Sequence, residues 1–132
     1  MAETDLSMDE AAKGLIKSFG NAFKGLWILF STQRNAIIHL CFMGLAVILG
    51  VLLKISFTEW AIIVLSSGMV IAAESFNTAL EKLSDTVHPE RNEGIGSAKD
   101  IAAGSVLITA IAALVVGIII FIPKLYLWIS SI

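Results

Sequence analysis

"IAAGSVLITAIAALVVGIIIFI", residues Ile101–Ile122, runs for twenty-two residues without a charge. As a helix rising about 1.5 Å per residue it reaches roughly 33 Å, enough to cross a hydrocarbon core of about 30 Å. Apolar on every side, such a helix has no face for water and belongs in a membrane. Two neighbouring stretches share this character: Ala36–Leu53, "AIIHLCFMGLAVILGVLL", and Trp60–Leu80, joined by "KISFTE" at Lys54–Glu59, which is too short for anything but a tight turn. The chain has 132 residues, 57% of them hydrophobic, with a mean hydropathy of +0.87. That apolar share exceeds what a soluble domain carries, and the length suits one domain. The fold class is therefore an all-α integral membrane protein with transmembrane helices over 36–53, 60–80 and 101–122.

The flanks add detail. Residues 1–12 are acidic and expected to fray, and the polar start shows no signal peptide. From Leu15, the apolar positions Ile16, Phe19, Phe23, Leu26, Trp27 and Phe30 recur at helical spacing, with Lys13, Lys17, Asn21 and Lys24 on the other face. The spacing predicts an amphipathic surface helix over 13–34, lying in the membrane interface. Lysine and arginine beside the spans set orientation. Seven (Lys13, Lys17, Lys24, Arg34, Lys82, Arg91, Lys99) lie on the N-terminal side, and only Lys54 and Lys124 lie on the other. The N-terminus and the 85–98 loop are expected in the cytoplasm and the C-terminus outside. Pro123 is expected to break the last span, with Tyr126 and Trp128 anchoring the outer interface. Small residues such as Ala46, Gly50, Ala113 and Gly117 read as helix-packing positions. Cys41 is the only cysteine, so no internal disulfide is possible.

The second span ends in polar residues. At about 100° per residue, Asn77, Glu81, Glu74 and Asp85 sit at roughly −60°, −20°, 0° and +20° around the helix, forming one stripe. Glu74 lies roughly 21 Å in from Trp60. A charge at the centre of a membrane helix costs on the order of 3 kcal/mol, so such groups usually mark a site. A lone acid is explained by an interhelical hydrogen bond, here Glu74 with Asn77. Three acids and an amide on one face look instead like a polyanion or metal site. The loop "TVHPERNEGIGSAKD" follows, in which Gly94 and Gly96 permit unusual backbone angles. Ser97 resembles a helix N-cap with Asp100 three residues on. Lys99 then falls near the mouth where Glu81 and Asp85 emerge. No phosphate loop, H-E-x-x-H or G-x-S-x-G motif occurs. His39 reads as a helix-contact residue, and the basic residues do not form a nucleic-acid patch.

"AESFNTALEKLSD" followed by "SAKDIAAGSVLI" resembles the prokaryotic diacylglycerol kinase family, over roughly residues 18–124. The segments "QRNAIIHL" and "IIIFIPK" are more similar to its undecaprenol kinase branch. The resemblance implies a homotrimer with shared active sites in the bacterial plasma membrane, transferring the γ-phosphate of ATP to a lipid hydroxyl with Mg²⁺. It implies Glu74 as the general base meeting the substrate and Glu81 as a magnesium ligand. Asn77, Glu81, Asp85, Glu90, Arg91, Asn92, Lys99 and Asp100 fall at nucleotide-site positions. Many relatives carry a second metal-binding Glu in the surface helix, where this chain has Gln33, which supplies a carbonyl but no charge. The lipid is undecaprenol on this reading, with diacylglycerol as the alternative. A transporter or proton-conducting subunit using Glu74 explains that residue, but neither Glu81 nor Lys99–Asp100. A packing subunit explains the small residues and nothing polar.

Overall fold

The computed structural model describes residues 2–130. It consists of α1 (Ala2–Thr32), α2 (Arg34–Leu52), α3 (Phe57–Val87) and α4 (Glu93–Ser130). The chain divides after Gln33 into two compact units, α1 by itself and the bundle α2–α4. Helix α1 takes in the acidic segment expected to fray. There Lys13 Nζ meets Asp9 Oδ2 at 2.8 Å, one turn apart, an exposed pair worth about 0.3–0.5 kcal/mol. At its other end the Gln33 N–H donates to the Leu29 carbonyl at 2.9 Å, closing the last turn.

Helices α2, α3 and α4 are each long and apolar enough to cross a membrane. The turn between the first two is fully specified by local chemistry. The Ile55 N–H reaches back to the Gly50 carbonyl (3.1 Å) and the Lys54 N–H to that of Val51 (3.3 Å), the paired bonds of a Schellman C-cap. Lys54 takes the left-handed position with φ 51°, where a side chain costs roughly 1–2 kcal/mol relative to glycine. Ser56 then caps α3: its Oγ accepts from the Glu59 N–H (3.3 Å), while its own N–H donates to Glu59 Oε2 (2.6 Å). This reciprocal box satisfies two donors that a helix start otherwise leaves open.

The buried core gathers at this end of the bundle. Ile55, Ile63, Ile120 and Phe121 form it, with Leu49 and Trp60 packed alongside. Gly50 makes the close approach possible: a Cβ there would lie 2.7 and 2.8 Å from two indole carbons of Trp60 and 3.0 Å from Ile55 Cδ1. The other small residues behave differently. Nothing lies within 4 Å of a Cβ built at Gly44 or Gly104, and Ala113 and Gly117 face a cavity rather than a helix.

Two ion pairs set the antiparallel register of α3 on α4. Lys124 Nζ lies 3.2 Å from Glu59 Oε2 at one end, and Lys99 Nζ lies 2.7 Å from Asp85 Oδ1 at the other. The pairs are separated by 26 residues on α3 and 25 on α4. That is roughly 38 Å of helix, so both fall in the polar margins of a bilayer 40–45 Å thick, headgroups included.

The helices outrun their apolar stretches, and three expectations need correction. Pro123 does not end the last helix, which continues to Ser130. Its ring removes one hydrogen bond, but Leu125 packs against the core and Lys124 holds Glu59, so the turns beyond it stay anchored. Ser97 is not the N-cap, because it lies inside α4. Asn92 caps instead, its Oδ1 accepting from the N–H groups of Gly94 (2.9 Å) and Ile95 (3.2 Å). Asn caps as well as Ser, and Glu93 in the first turn suits the helix dipole. Gly94 and Gly96 are therefore helical, and no described glycine has a positive φ. The loop expected over 85–98 shrinks to residues 88–92. Apolarity marks where hydrocarbon ends, and a helix continues until a cap competes with it.

Candidate functional site

The last turns of α3 carry the polar stripe into the bundle. Glu74 is 2% exposed and Thr78 5%, although most side chains of these helices face outward. Glu74 Oε2, Asn77 Oδ1 and Thr78 Oγ1 are buried with no hydrogen-bond partner among the described residues. Three unpartnered oxygens within two turns are costly in an apolar interior, which makes the place a candidate ligand site. The space beside Glu74 and Asn77 is a cavity of about 320 Å³, lined also by Asn35, His39, Ala103 and Val106.

From there the stripe climbs outward. Asn77 Nδ2 donates to Glu81 Oε1 at 3.2 Å, which orients a half-buried carboxylate two turns beyond Glu74. Asp85, one turn further, is exposed and holds Lys99 of α4. The structure thus joins Glu74, Asn77 and Glu81 in one continuous set and places the Asp85–Lys99 pair at its open end. Asp100 is exposed beside Lys99, and Glu90 and Arg91 are exposed in the 88–92 connection. Asn92 commits its side-chain oxygen to capping α4, which leaves its amide nitrogen for a ligand. Gln33 ends the first unit, and the geometry described here belongs to the second.

Sequence reasoning missed Thr78, Asn35 and His39 as site residues. Thr78 was within reach: the angular arithmetic that defines the stripe puts it at roughly +40° from Glu74. Asn35 and His39 sit on a different helix, and no spacing rule brings them to Glu74.

Taken together, the bundle is an integral membrane protein in which a polar stripe lies buried among the spanning helices at Glu74 and Thr78 and reaches one polar margin at Asp85. Residues 20–121 match the family model described as prokaryotic diacylglycerol kinase, and the chain belongs to that family of membrane lipid kinases. It is similar to the undecaprenol kinase of Bacillus subtilis, with 37% identity over 83% of this chain and 89% of that protein. It is also similar to the diacylglycerol kinase of Synechocystis, with 42% identity over 88% of this chain and 67% of that protein. The diacylglycerol kinase of Escherichia coli K12 is 30% identical over 76% of the chain and 83% of that protein. No solved structure matches significantly.

A kinase takes a nucleotide, and nucleotides arrive with a metal. Among the described residues no group of three or more His, Cys, Asp or Glu converges on one point. Magnesium does not need one, since it is commonly held by one or two carboxylates plus substrate phosphates and water. The half-buried Glu81 carboxylate and the unpartnered Asn77 oxygen are hard donors of the right kind, so the residues present fit such an ion.

Proposed function

We propose that this lipid kinase phosphorylates undecaprenol to undecaprenyl phosphate, with ATP as donor. The observation that carries the choice of lipid is the extent of the match to undecaprenol kinase, 89% of that protein's length. Diacylglycerol is the second reading, favoured by the higher identity, 42%, to a diacylglycerol kinase.

In this mechanism the lipid hydroxyl reaches Glu74 from within the bilayer. The buried carboxylate accepts the hydroxyl proton as the oxygen attacks the γ-phosphorus, and the bond to the departing ADP breaks. The proton then leaves Glu74 for water. Asn77 holds Glu81 in place to carry Mg²⁺. When bound, Mg²⁺ neutralises triphosphate charge, which is most of what phosphoryl transfer asks of its site. Asp85, Lys99, Asp100, Glu90, Arg91 and Asn92 surround the nucleotide at the open end, with Lys99 supplying positive charge. The lysine and arginine distribution supports a cytoplasmic open end. The apolar positions of α1 support its lying in the interface. Extensive outward-facing apolar surface on α2–α4 suits both lipid and the subunit contacts of a homotrimer.

The test is direct. Purified protein in lipid micelles receives γ-labelled ATP with undecaprenol or diacylglycerol in separate reactions, with and without Mg²⁺. Magnesium-dependent labelling of undecaprenol at the higher kcat/KM is expected. Preference for diacylglycerol selects the second reading, and label on neither lipid overturns both.

A further inference from the structure

Glu74 and Thr78 are the buried polar side chains among the described residues, and so far only Glu74 has a part in phosphoryl transfer. They stand one turn apart on α3, where side chains at i and i+4 lie about 5–6 Å from each other. Thr78 borders neither the polar cavity nor the larger apolar one, of about 460 Å³, that opens between α2, α3 and α4. It has no surface to offer a ligand, so any role it plays runs through a neighbour. We infer that Thr78 is a positioning residue: its hydroxyl donates to Glu74 Oε2 and so aims the other carboxylate oxygen at the acceptor alcohol. The inference rests on the reading of Glu74 as the base and deepens it by naming what holds that base on its heading.

Local chemistry leaves this hydroxyl unspent. A threonine inside a helix commonly turns its Oγ1 back to the carbonyl one turn earlier. Thr32 does so with Ile28 (2.7 Å), Thr86 with Lys82 (2.7 Å) and Thr109 with Ser105 (3.1 Å). The equivalent acceptor for Thr78 is the Glu74 carbonyl, and that bond is not made. The register set by the Glu59–Lys124 and Asp85–Lys99 pairs puts Thr78 level with Ser105 and Val106 of α4. Ser105 gives its Oγ to the Ala102 carbonyl at 2.6 Å, and Thr109 Oγ1 also reaches the Val106 carbonyl at 2.9 Å. Both hydroxyls are committed within their own helix. Asn77 is adjacent in sequence, and successive residues of a helix do not face each other. The acceptor left within reach is the Glu74 carboxylate. A buried hydroxyl without a partner is costly, and a valine of nearly the same shape would avoid that cost.

The two oxygens of Glu74 divide the work. Oε2 is closed off without a partner, whereas the residue lines the polar cavity, so Oε1 is the oxygen turned to it. A carboxylate on a flexible side chain gains reactivity when one geometry is fixed in advance, and a hydrogen bond to Oε2 fixes the heading of Oε1. Thr78 keeps its own proton throughout; the proton of the lipid alcohol goes to Oε1. Thr78 Oγ1 and Glu74 Oε2 do not meet hydrogen-bond geometry in this structure. Catalytic hydrogen bonds are commonly long in an apo enzyme and tighten as substrate enters.

The experiment uses the full-length protein in lipid micelles with ATP, Mg²⁺ and undecaprenol, or diacylglycerol where that is the lipid labelled. Thr78→Val removes the hydroxyl and keeps the shape. It is expected to lower kcat about tenfold or more while KM for lipid and for ATP stays within about twofold. Its unfolding midpoint in mixed micelles should be unchanged or raised, because an unpartnered hydroxyl has gone. Thr78→Ser restores the donor and should recover kcat to within about threefold of wild type. Unaltered turnover in the valine variant, or a serine variant no better than valine, would overturn the inference. Should the valine variant fail to fold, Thr78→Ala carries the same expectation for kcat and KM. A double-mutant cycle supplies the readout that a merely structural role would not move. In a Glu74→Gln background, Thr78→Val should change the residual kcat less than about twofold, because the group it positions is no longer a base; a further tenfold loss there would show that Thr78 acts independently of Glu74. Glu74→Gln with wild-type turnover removes the base reading and this inference with it. An inactive Glu74→Gln beside a fully active Thr78→Val defeats the positioning role alone.

Discussion

Gly50→Ala tests how the bundle closes. The added methyl would sit 2.7 and 2.8 Å from two carbons of the Trp60 indole and 3.0 Å from Ile55 Cδ1. Carbon atoms prefer about 3.5–4.0 Å, so the ring has to retreat by roughly 1 Å. The indole is rigid and half-buried beside the core, and Ile55 is pinned by the C-cap that its own N–H makes with Gly50. Overpacking of this kind costs about 1–3 kcal/mol. Against it stands the helix preference for alanine over glycine, about 1 kcal/mol. The net expectation is a destabilisation of about 1 kcal/mol, or roughly a fivefold shift in the unfolding constant. Reversible unfolding in mixed detergent micelles, followed by circular dichroism, measures it as a lowered midpoint at unchanged slope. The double variant Gly50→Ala/Trp60→Leu makes the argument exacting. With the indole removed, the same alanine should stabilise relative to Trp60→Leu alone, because only the helix preference remains. A stabilising Gly50→Ala in the wild-type background, or no change of sign between backgrounds, would refute the close-approach explanation.

Other perturbations address the site. Glu74→Gln keeps the size of the side chain but cannot accept a proton, so kcat is expected to fall about 10²–10⁴-fold with helix content unchanged; near-wild-type turnover would remove Glu74 from the base role. Glu81→Gln should move the magnesium midpoint of activity upward, and an unchanged titration would put the metal elsewhere. Gln33→Glu adds the carboxylate that the family resemblance implies at this position, so Mg·ATP should bind more tightly and metal-free ATP more weakly, as read by calorimetry; shifts of the same sign would mean that residue 33 does not touch the metal. For Asp85 and Lys99, whose side chains are 70% and 32% exposed, a double-mutant cycle with Asp85→Asn and Lys99→Met should give a coupling of about 0.2–1 kcal/mol in unfolding. A larger coupling would mean that the pair is a structural lock.

Much of this protein was legible before any coordinates. The three spanning helices follow from length and apolarity, which are local properties and leave no other solvent for the chain. The polar stripe is equally local, since one helix and its 100° step decide which residues share a face. Helix ends were not determined in this way. Asn92 and Ser97 are both competent caps, and α4 starts at the earlier one, where it can lie alongside α3 with Lys99 against Asp85. Pro123 is a helix breaker by its own chemistry, yet contacts made by Lys124 and Leu125 with distant residues carry the helix through it. Gly44, Gly50 and Gly104 are alike as letters, but only Gly50 meets a neighbouring ring, because crossing points depend on how helices lean on one another. His39 differs in the same way. Its identity suggests a helix contact, and its position between two cavities exists only once three helices from separate parts of the chain enclose them. Sequence settles what each segment prefers by itself; packing decides which of those preferences meet.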